Sequence, residues 1–261
     1  MSNAPAATTI RKVELLRPFF WLKAGWRELA AHPGPSLTYG ILVTLVGWGL
    51  VTLAAPHAEL FTSVITGFVL FAPLVASGIY ELSRQSEAGE PASFINSVKS
   101  LRRSMNSIAD FGIVLLLVGI LWERVAAVMF ALSYGGDMSD VQHFVHEIFF
   151  SGKYWGVVIA WLLSGAILSS VIFSVTVIGM PMVIGRDADV VTAMITSVRA
   201  VFLNLPAMML WAGLIVTLTV LGMALAMVGL VVIMPLLGHA TWCAYKDLVH
   251  EAPDPQPGTA S

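Results

Sequence analysis

Long apolar stretches with few charged residues alternate with short polar segments along this chain. Six such stretches can be drawn, at residues 36–54, 60–80, 108–132, 155–179, 206–222 and 224–245. The hydrocarbon core of a bilayer is about 30 Å thick and is crossed by about 20 helical residues. The pattern therefore predicts an all-α integral membrane protein with six transmembrane helices.

The last two stretches are separated by an argument from length. Residues 205–245 contain no Asp, Glu, Lys or Arg. A single helix of that length would extend about 60 Å, roughly twice the thickness of the hydrocarbon core. We therefore expect a tight turn near Gly222.

Three further segments, each before an odd-numbered span, are candidates for helices that lie at the membrane interface. Over 94–108 and 191–205, apolar residues recur at three- and four-residue steps, with polar and basic residues on the other face of 94–108. Residues 19–33 combine aromatic and basic side chains in the same relative place. Such helices suit the anionic cytoplasmic leaflet. We expect three interface helices, the third with Asp187 or Asp189 as N-cap.

The order of these elements suggests a unit that occurs three times. Each unit would contain an interface helix, an outward span and a return span with a proline near its cytoplasmic end, at Pro73, Pro181 and Pro235. INSVK at 95–99 also resembles ITSVR at 195–199. Proline kinks are tolerated where neighbouring helices bond the freed backbone groups. We predict three helical hairpins in a six-helix bundle; chance similarity within a biased composition is the alternative.

Composition and charge support the membrane class and argue against some partners and cross-links. Hydrophobic residues make up 57% of the chain and charged residues 11%, against about 25% charged in soluble domains. The net charge of −2 argues against nucleic acid as a partner, and the single Cys243 excludes an intramolecular disulfide. We divide the chain into a cytoplasmic tail and start of the interface region at 1–18, a membrane domain at 19–249 and a disordered tail at 250–261.

Basic residues indicate the orientation in the membrane. Of the 14 Lys and Arg residues, all but Arg124 and Lys153 lie before span one, between spans two and three, between spans four and five, or after span six. Basic residues concentrate on the cytoplasmic side. Both termini are therefore predicted to be cytoplasmic.

The loop at 134–153 holds one candidate metal set. His143, His146 and Glu147 are spaced to share one face of a short helix, as metal ligands could. The same residues would also form the wet face of a fourth interface helix on the non-cytoplasmic side. We favour the wet face, because no second ligand helix is evident.

Four ionisable residues in or beside the spans are further functional candidates. His239 could donate a hydrogen bond across the bundle, ligate haem or relay protons. Glu123 and Arg124 could snorkel to the interface or line an ion path. Glu81, like Asp247, ends a span and is expected to cap a helix or pair with Arg84 or Lys246. No nucleotide-binding, metalloprotease or hydrolase motif occurs, so we predict no enzyme and no cofactor.

Several segments resemble a family of bacterial multi-spanning membrane proteins with a domain of unknown function. They are Gly25 and Trp26 followed by PGPSLTYG (33–40), the segment ending in GIYELSR (67–84), P-x5-D (181–187) and P-x9-Y-x-DL (235–248). The resemblance implies a helical fold in the bacterial inner membrane. Members are sometimes labelled cytochrome c oxidase subunit I. We do not carry that label over, because haem-copper catalytic subunits have about twelve spans and several intramembrane histidines.

Four hypotheses for function follow. The first is a non-enzymatic scaffold, assembly or interaction protein that contacts membrane lipids and a membrane-protein partner. The second is a small transporter or channel whose Pro-kinked helices act as gates. The others are an accessory protein of a respiratory oxidase and a haem or metal protein that uses His239, or His143 with His146.

Overall fold

Helices account for most of the residues that the computed structural model describes, which are 8–54, 58–133, 147–148, 150–186 and 188–251. The helices are α1 (Arg17–Ala31), α2 (Pro33–Ala54), α3 (Ala58–Glu87), α4 (Phe94–Ser100), a 3-10 turn (Leu101–Ser104), α5 (Met105–Ser133), α6 (Trp155–Thr176), α7 (Gly179–Arg186), α8 (Val190–Leu203), α9 (Leu205–Ala224) and α10 (Leu230–Leu248).

Four helical stretches in the described part of the chain are long enough and apolar enough to cross a membrane. They are Pro33–Leu53, Phe94–Ser133, Trp155–Arg186 and Leu205–Ala224. The other two predicted spans fall on α3 and α10. The chain is thus an all-α membrane protein with several apolar helices.

Helices precede α2, α5 and α9 in the chain where interface helices were expected. On α8, most residues of the face toward the protein are small, such as Ala193, Ser197 and Ala200, and Val201 is also buried. Asp189, rather than Asp187, is its N-cap and accepts a hydrogen bond from the Thr192 amide at 2.9 Å. The hydrogen bonds from Thr192 lower the pKa of Asp189. Asp187 lies outside the described residues.

Helix α10 lies at the centre of the packing, against α1, α2, α3 and α9. Two glycines allow neighbouring backbones to approach it. A Cβ on Gly40 would lie 2.0 Å from the carbonyl oxygen of Val231, and a Cβ on Gly25 would lie 2.6 Å from the nitrogen of Ala240. Close backbone approach of this kind requires residues without side chains.

The three prolines occupy two different settings, which corrects the predicted repeat. Pro73 and Pro235 lie inside the helices α3 and α10. Pro181, by contrast, lies in the first turn of α7, because the helix of the fourth span breaks at residues 177–178. Proline fits there, since the first turn leaves N–H groups without helical acceptors. The Ser197 hydroxyl accepts the Ile178 N–H at 3.1 Å and so stabilises the break.

The turn between the last two helices lies later than predicted. Two separate helices are present, as expected from length, but residues 225–229 connect them. Ala226 and Met227 in this turn have φ of 51° and 65°. Gly222 lies inside α9, where its Cα would be 2.8 Å from a Cβ on Gly229. Gly222 therefore permits the close return of the chain rather than forming the turn.

A two-stranded antiparallel sheet joins the N-terminal and C-terminal segments. β1 (Thr8–Ile10) pairs with β2 (Val249–Glu251). Residues 250 and 251 therefore belong to a strand, which corrects the predicted start of the disordered tail at 250. Residues 1–7 and 252–261 lie outside the described part of the chain, so disorder there stays a prediction.

Candidate functional site: the polar junction

Polar side chains that are buried or half-buried lie on α2, α3, α4 and the C-terminal half of α10. We call this set the polar junction; it comprises Ser36, Glu81, Ser83, Gln85, Ser97, His239 and Asp247. Each of these residues has a hydrogen-bond partner. Partnered polar groups are the arrangement expected in a low-dielectric interior.

His239 links three helices at the centre of the junction. Its Nε2 lies 2.9 Å from the Ser36 hydroxyl on α2, and its Nδ1 lies 2.7 Å from the Ser83 hydroxyl on α3. All three residues are buried. A neutral imidazole donates through one nitrogen and accepts through the other. This is the geometry of a hydrogen bond across the bundle, and both ring nitrogens are occupied by protein groups.

Glu81 forms a second connection, between α3 and the 3-10 turn. Its carboxylate accepts two hydrogen bonds from Arg84 at 2.8 Å and one from Arg103 at 3.0 Å. Gln85 adds a fourth at 3.1 Å. Arg103 also donates to the carbonyl of Ile184 on α7 at 3.3 Å. A carboxylate that is only 1% exposed is tolerable here because two guanidinium groups compensate its charge.

Asp247 binds the N-terminal segment to the end of α10. It accepts hydrogen bonds from Arg17 at 2.6 and 3.0 Å, from Trp21 at 2.9 Å and from Arg11 at 3.1 Å. Burial alone would raise the pKa of Asp247, but the hydrogen bonds and charges of these partners outweigh burial and lower the pKa.

The partners of the span-end carboxylates are only partly those expected. Glu81 does pair with Arg84. Asp247, however, pairs with Arg17 and Arg11, whereas Lys246 forms its ion pair with Glu87 at 3.1 Å. Adjacent residues such as Lys246 and Asp247 point in different directions on a helix. Asp247 therefore binds Arg17, which the packing of α1 against α10 brings close to it.

Glu123 and Arg124 lie far from the polar junction. Both are on α5, about 20 residues or 30 Å beyond Arg103. Glu123 is half-buried and Arg124 is exposed. The structure therefore does not bring them together with His239.

Little of the candidate metal set is described. Glu147 lies 3.9 Å from the Nζ of Lys153. His143 and His146 fall outside the described residues. Within the described part of the chain, no three His, Cys, Asp or Glu side chains are grouped to hold a metal ion.

Sequence reasoning missed a cleft beside the junction, because four separate segments form it. It has a volume of about 320 Å³ and is lined at the ends of α3, α7 and α10 and by β2. The sequence predicts Arg84 and Lys246 as partners of span-end carboxylates, and Arg186 counts there only among the basic residues that indicate orientation. The sequence contains no local signal that places them together.

The comparison with protein families agrees with this architecture. Residues 60–185, from α3 to α7, match the family described as predicted integral membrane protein (DUF2189). The chain is similar to this family over that region. No curated protein and no solved structure matches the chain. The description supports an integral membrane protein with a domain of unknown function and provides no support for the oxidase label.

Proposed function

We propose that the protein is a non-enzymatic interaction protein of the bacterial inner membrane. In this proposal α1, α4 and α8 form a platform in the cytoplasmic leaflet that contacts lipids and a membrane-protein partner. The observation that supports it is the division of residues on these short helices. On each of these helices, one set of side chains is buried against the protein, while large apolar side chains are exposed on the outer face.

Helix α8 is the clearest case. Its buried positions hold mostly small residues, whereas Val191, Ile195 and Phe202 are 64%, 54% and 67% exposed. Arg199, also exposed, adds a positive charge. Large exposed apolar side chains are unfavourable in water but suit the boundary between headgroups and acyl chains.

Helices α1 and α4 also expose large apolar side chains, although α1 buries large ones as well. α1 buries Trp21 and Leu29 but leaves Phe20 and Trp26 about half exposed. Aromatic residues are favoured at membrane interfaces. On α4, Ser97 is buried and Ile95 is 62% exposed. Three short helices with this division support a common placement at one membrane surface.

The topology that we propose is six spans in three hairpins, with both termini in the cytoplasm. Pairing of β1 with β2 requires residues 8–10 and 249–251 to lie on one side of the membrane, which supports an even number of crossings. α3 and α10 would complete the six. The distribution of basic residues supports the cytoplasmic side.

The exposure of the apolar helices favours contact over transport. Only 6% of the most apolar part of Phe94–Ser133 and 22% of that of Leu205–Ala224 is buried. These helices present most of their surface to lipid or to another protein. A transporter would be expected to direct polar groups toward an enclosed path.

Photocrosslinking in cells would test the interaction role. A photoreactive residue at Ile195 on α8 should yield a discrete protein adduct, whereas one at Met209, similarly exposed on α9, should yield mainly lipid adducts. Lipid adducts alone at both positions would contradict an interaction role. Saturable substrate uptake by the reconstituted protein would support the transporter instead.

Thiol labelling would test the orientation separately. In a Cys243→Ala background, Lys153→Cys should react with a membrane-impermeant maleimide in intact spheroplasts. Arg199→Cys should react only after the membrane is opened. The reverse result would invert the proposed topology.

A further inference from the structure

The cleft beside the polar junction is lined mainly by positively charged and aromatic residues, and the proposed interaction role does not involve it. Its lining residues are Arg84, Glu87, Gly185, Arg186, Trp242, Tyr245, Lys246, Val249 and His250. Three of them are cations and one is a carboxylate. The cleft therefore has an excess of positive charge in about 320 Å³, near the lower end of ligand-pocket volumes.

The three cations differ in how much of their charge is already compensated. Arg84 is bound to Glu81, and Lys246 forms an ion pair with Glu87. The guanidinium of Arg186 donates to the backbone carbonyl of Val249 at 3.2 Å. Among the described residues, it has no carboxylate partner. Within that part of the chain, Arg186 therefore brings to the cleft a positive charge without a carboxylate partner, together with further N–H donors.

The aromatic wall of the cleft holds Arg186 in position. Trp242 and Tyr245 are 2% and 1% exposed, and their rings meet edge to face at 5.4 Å. The guanidinium carbon of Arg186 lies 5.9 Å from the centre of the Tyr245 ring. Glu87 accepts a hydrogen bond from the Trp242 indole at 2.9 Å.

We propose that this cleft binds a phosphate-bearing anion, with Arg186 as its main ligand and Lys246 and His250 beside it. A guanidinium fork matches two phosphate oxygens, and a nearby ammonium adds a point charge. The phosphate could belong to an anionic lipid headgroup or to a soluble phosphate. The site is independent of the proposed interaction role.

Two binding experiments on the purified full chain distinguish these sources. Native mass spectrometry would measure the binding of phosphatidylglycerol against phosphatidylcholine. Isothermal titration calorimetry would measure the binding of inorganic phosphate. Arg186→Gln should weaken binding about tenfold, as expected for the loss of a charged hydrogen-bonding ligand. Lys153→Gln removes a positive charge from a side chain that is 68% exposed, lies between α5 and α6 and does not line the cleft, and it should leave binding unchanged.

Glu87→Gln provides a test that a folding defect cannot imitate. The substitution removes the carboxylate that is found among the described lining residues and retains an acceptor for Trp242. Binding should strengthen about threefold, because like-charge repulsion of the anion is removed.

The lipid-binding and phosphate-binding experiments identify different ligands. A change in phosphatidylglycerol binding alone identifies a lipid headgroup, and a change in phosphate binding identifies a soluble ligand. Equal binding by the parent chain, Arg186→Gln and Glu87→Gln in both arms would overturn the proposal. If Arg186→Gln does not yield folded protein, the absence of a gain with Glu87→Gln would be sufficient to overturn it.

Discussion

Helices α5 and α10 are both rich in apolar residues, yet they lie in opposite surroundings. α5 exposes Ile113, Leu117 and Leu121, each by more than half. α10 is almost completely buried from Gly238 to Tyr245, and its polar His239 has protein partners on both ring nitrogens. Apolar composition therefore shows that a helix avoids water, but it does not show whether lipid or protein covers it.

This difference indicates which part of the molecule contributes most to the free energy of unfolding. The buried hydrophobic cluster includes Trp21, Phe111, Trp211 and Tyr245, and the polar junction lies beside it. The outward helices contribute mostly exposed apolar surface. Substitutions should therefore cost much more around α10 than on the outer side of α5.

The largest effect is expected where α2 touches α10. In Gly40→Ala, the new Cβ would lie 2.0 Å from a backbone oxygen that no rotamer change can move. We expect a loss of about 4 kcal/mol or more in the free energy of unfolding, and little folded protein. Size-exclusion chromatography of a fluorescent fusion in mild detergent would measure the folded fraction.

Gly49→Ala on the same helix is the matched control. A Cβ there meets no atom within 4 Å. Alanine should leave stability unchanged or raise it by about 0.5 to 1 kcal/mol. Equal yields of the two variants would contradict the close contact between α2 and α10.

A smaller loss of stability is expected for substitutions on α5, and it should differ between the buried and the exposed side of that helix. Leu115 is completely buried, whereas Leu117 is 61% exposed. Leu115→Ala should reduce the free energy of unfolding by about 2 to 4 kcal/mol, because it removes buried methyl groups and leaves a cavity. Leu117→Ala should change it by less than about 0.5 kcal/mol. Denaturation in micelles would measure both, and a larger loss for Leu117→Ala would reverse the assigned faces.

Next in size is the bond between Asp247 and the N-terminal segment. Asp247→Asn should cost about 1 to 3 kcal/mol, a range that allows for the partial exposure of Arg17. Glu90→Gln, at a carboxylate that is 54% exposed, should cost less than about 0.5 kcal/mol.

The pH dependence of that cost follows from the lowered pKa of Asp247. Asp247 lies beyond the predicted sixth span. Its stabilising contribution is complete above the unfolded pKa of about 3.9 and is lost as the pH falls through the lower folded pKa. The parent chain and Asp247→Asn should therefore converge in stability on acidification. A constant difference down to the lowest pH would contradict the assigned bond.

The smallest effect concerns adjacent arginines. Arg103 binds Glu81 across 22 residues of sequence and is 39% exposed. Arg102 is also exposed, but it forms no ion pair with a described residue. Arg103→Gln should cost about 1 kcal/mol and Arg102→Gln less than half of that. Proteolysis rates at the segment between α3 and α4 would report the difference. Identical rates would show that the bond does not hold α4 in place.

Short-range patterns predicted much of the architecture. Hydropathy predicted the all-α membrane class. The three- to four-residue periodicity predicted the helices before α5 and α9, and the aromatic and basic residues predicted the helix before α2. The N-cap at Asp189 could also be read locally, because a cap bonds an amide three residues away.

The rest depends on contacts between distant residues. The break after α6 is stabilised by Ser197, 19 residues from Ile178. Arg17 is 230 residues from Asp247, so the neighbouring Lys246 was the partner that sequence suggested. The cleft likewise combines residues from α3, α7, α10 and β2. Periodicity within one helix contains no information about such pairings.

The short sheet has a practical consequence for studying the protein. Because β1 and β2 are hydrogen-bonded neighbours, two fluorescent proteins fused to the opposite ends of the chain would emerge side by side. Energy transfer between them would be high while the sheet is closed and would fall if the ends separate. Such a double fusion would follow the integrity of the fold in living cells without any known ligand.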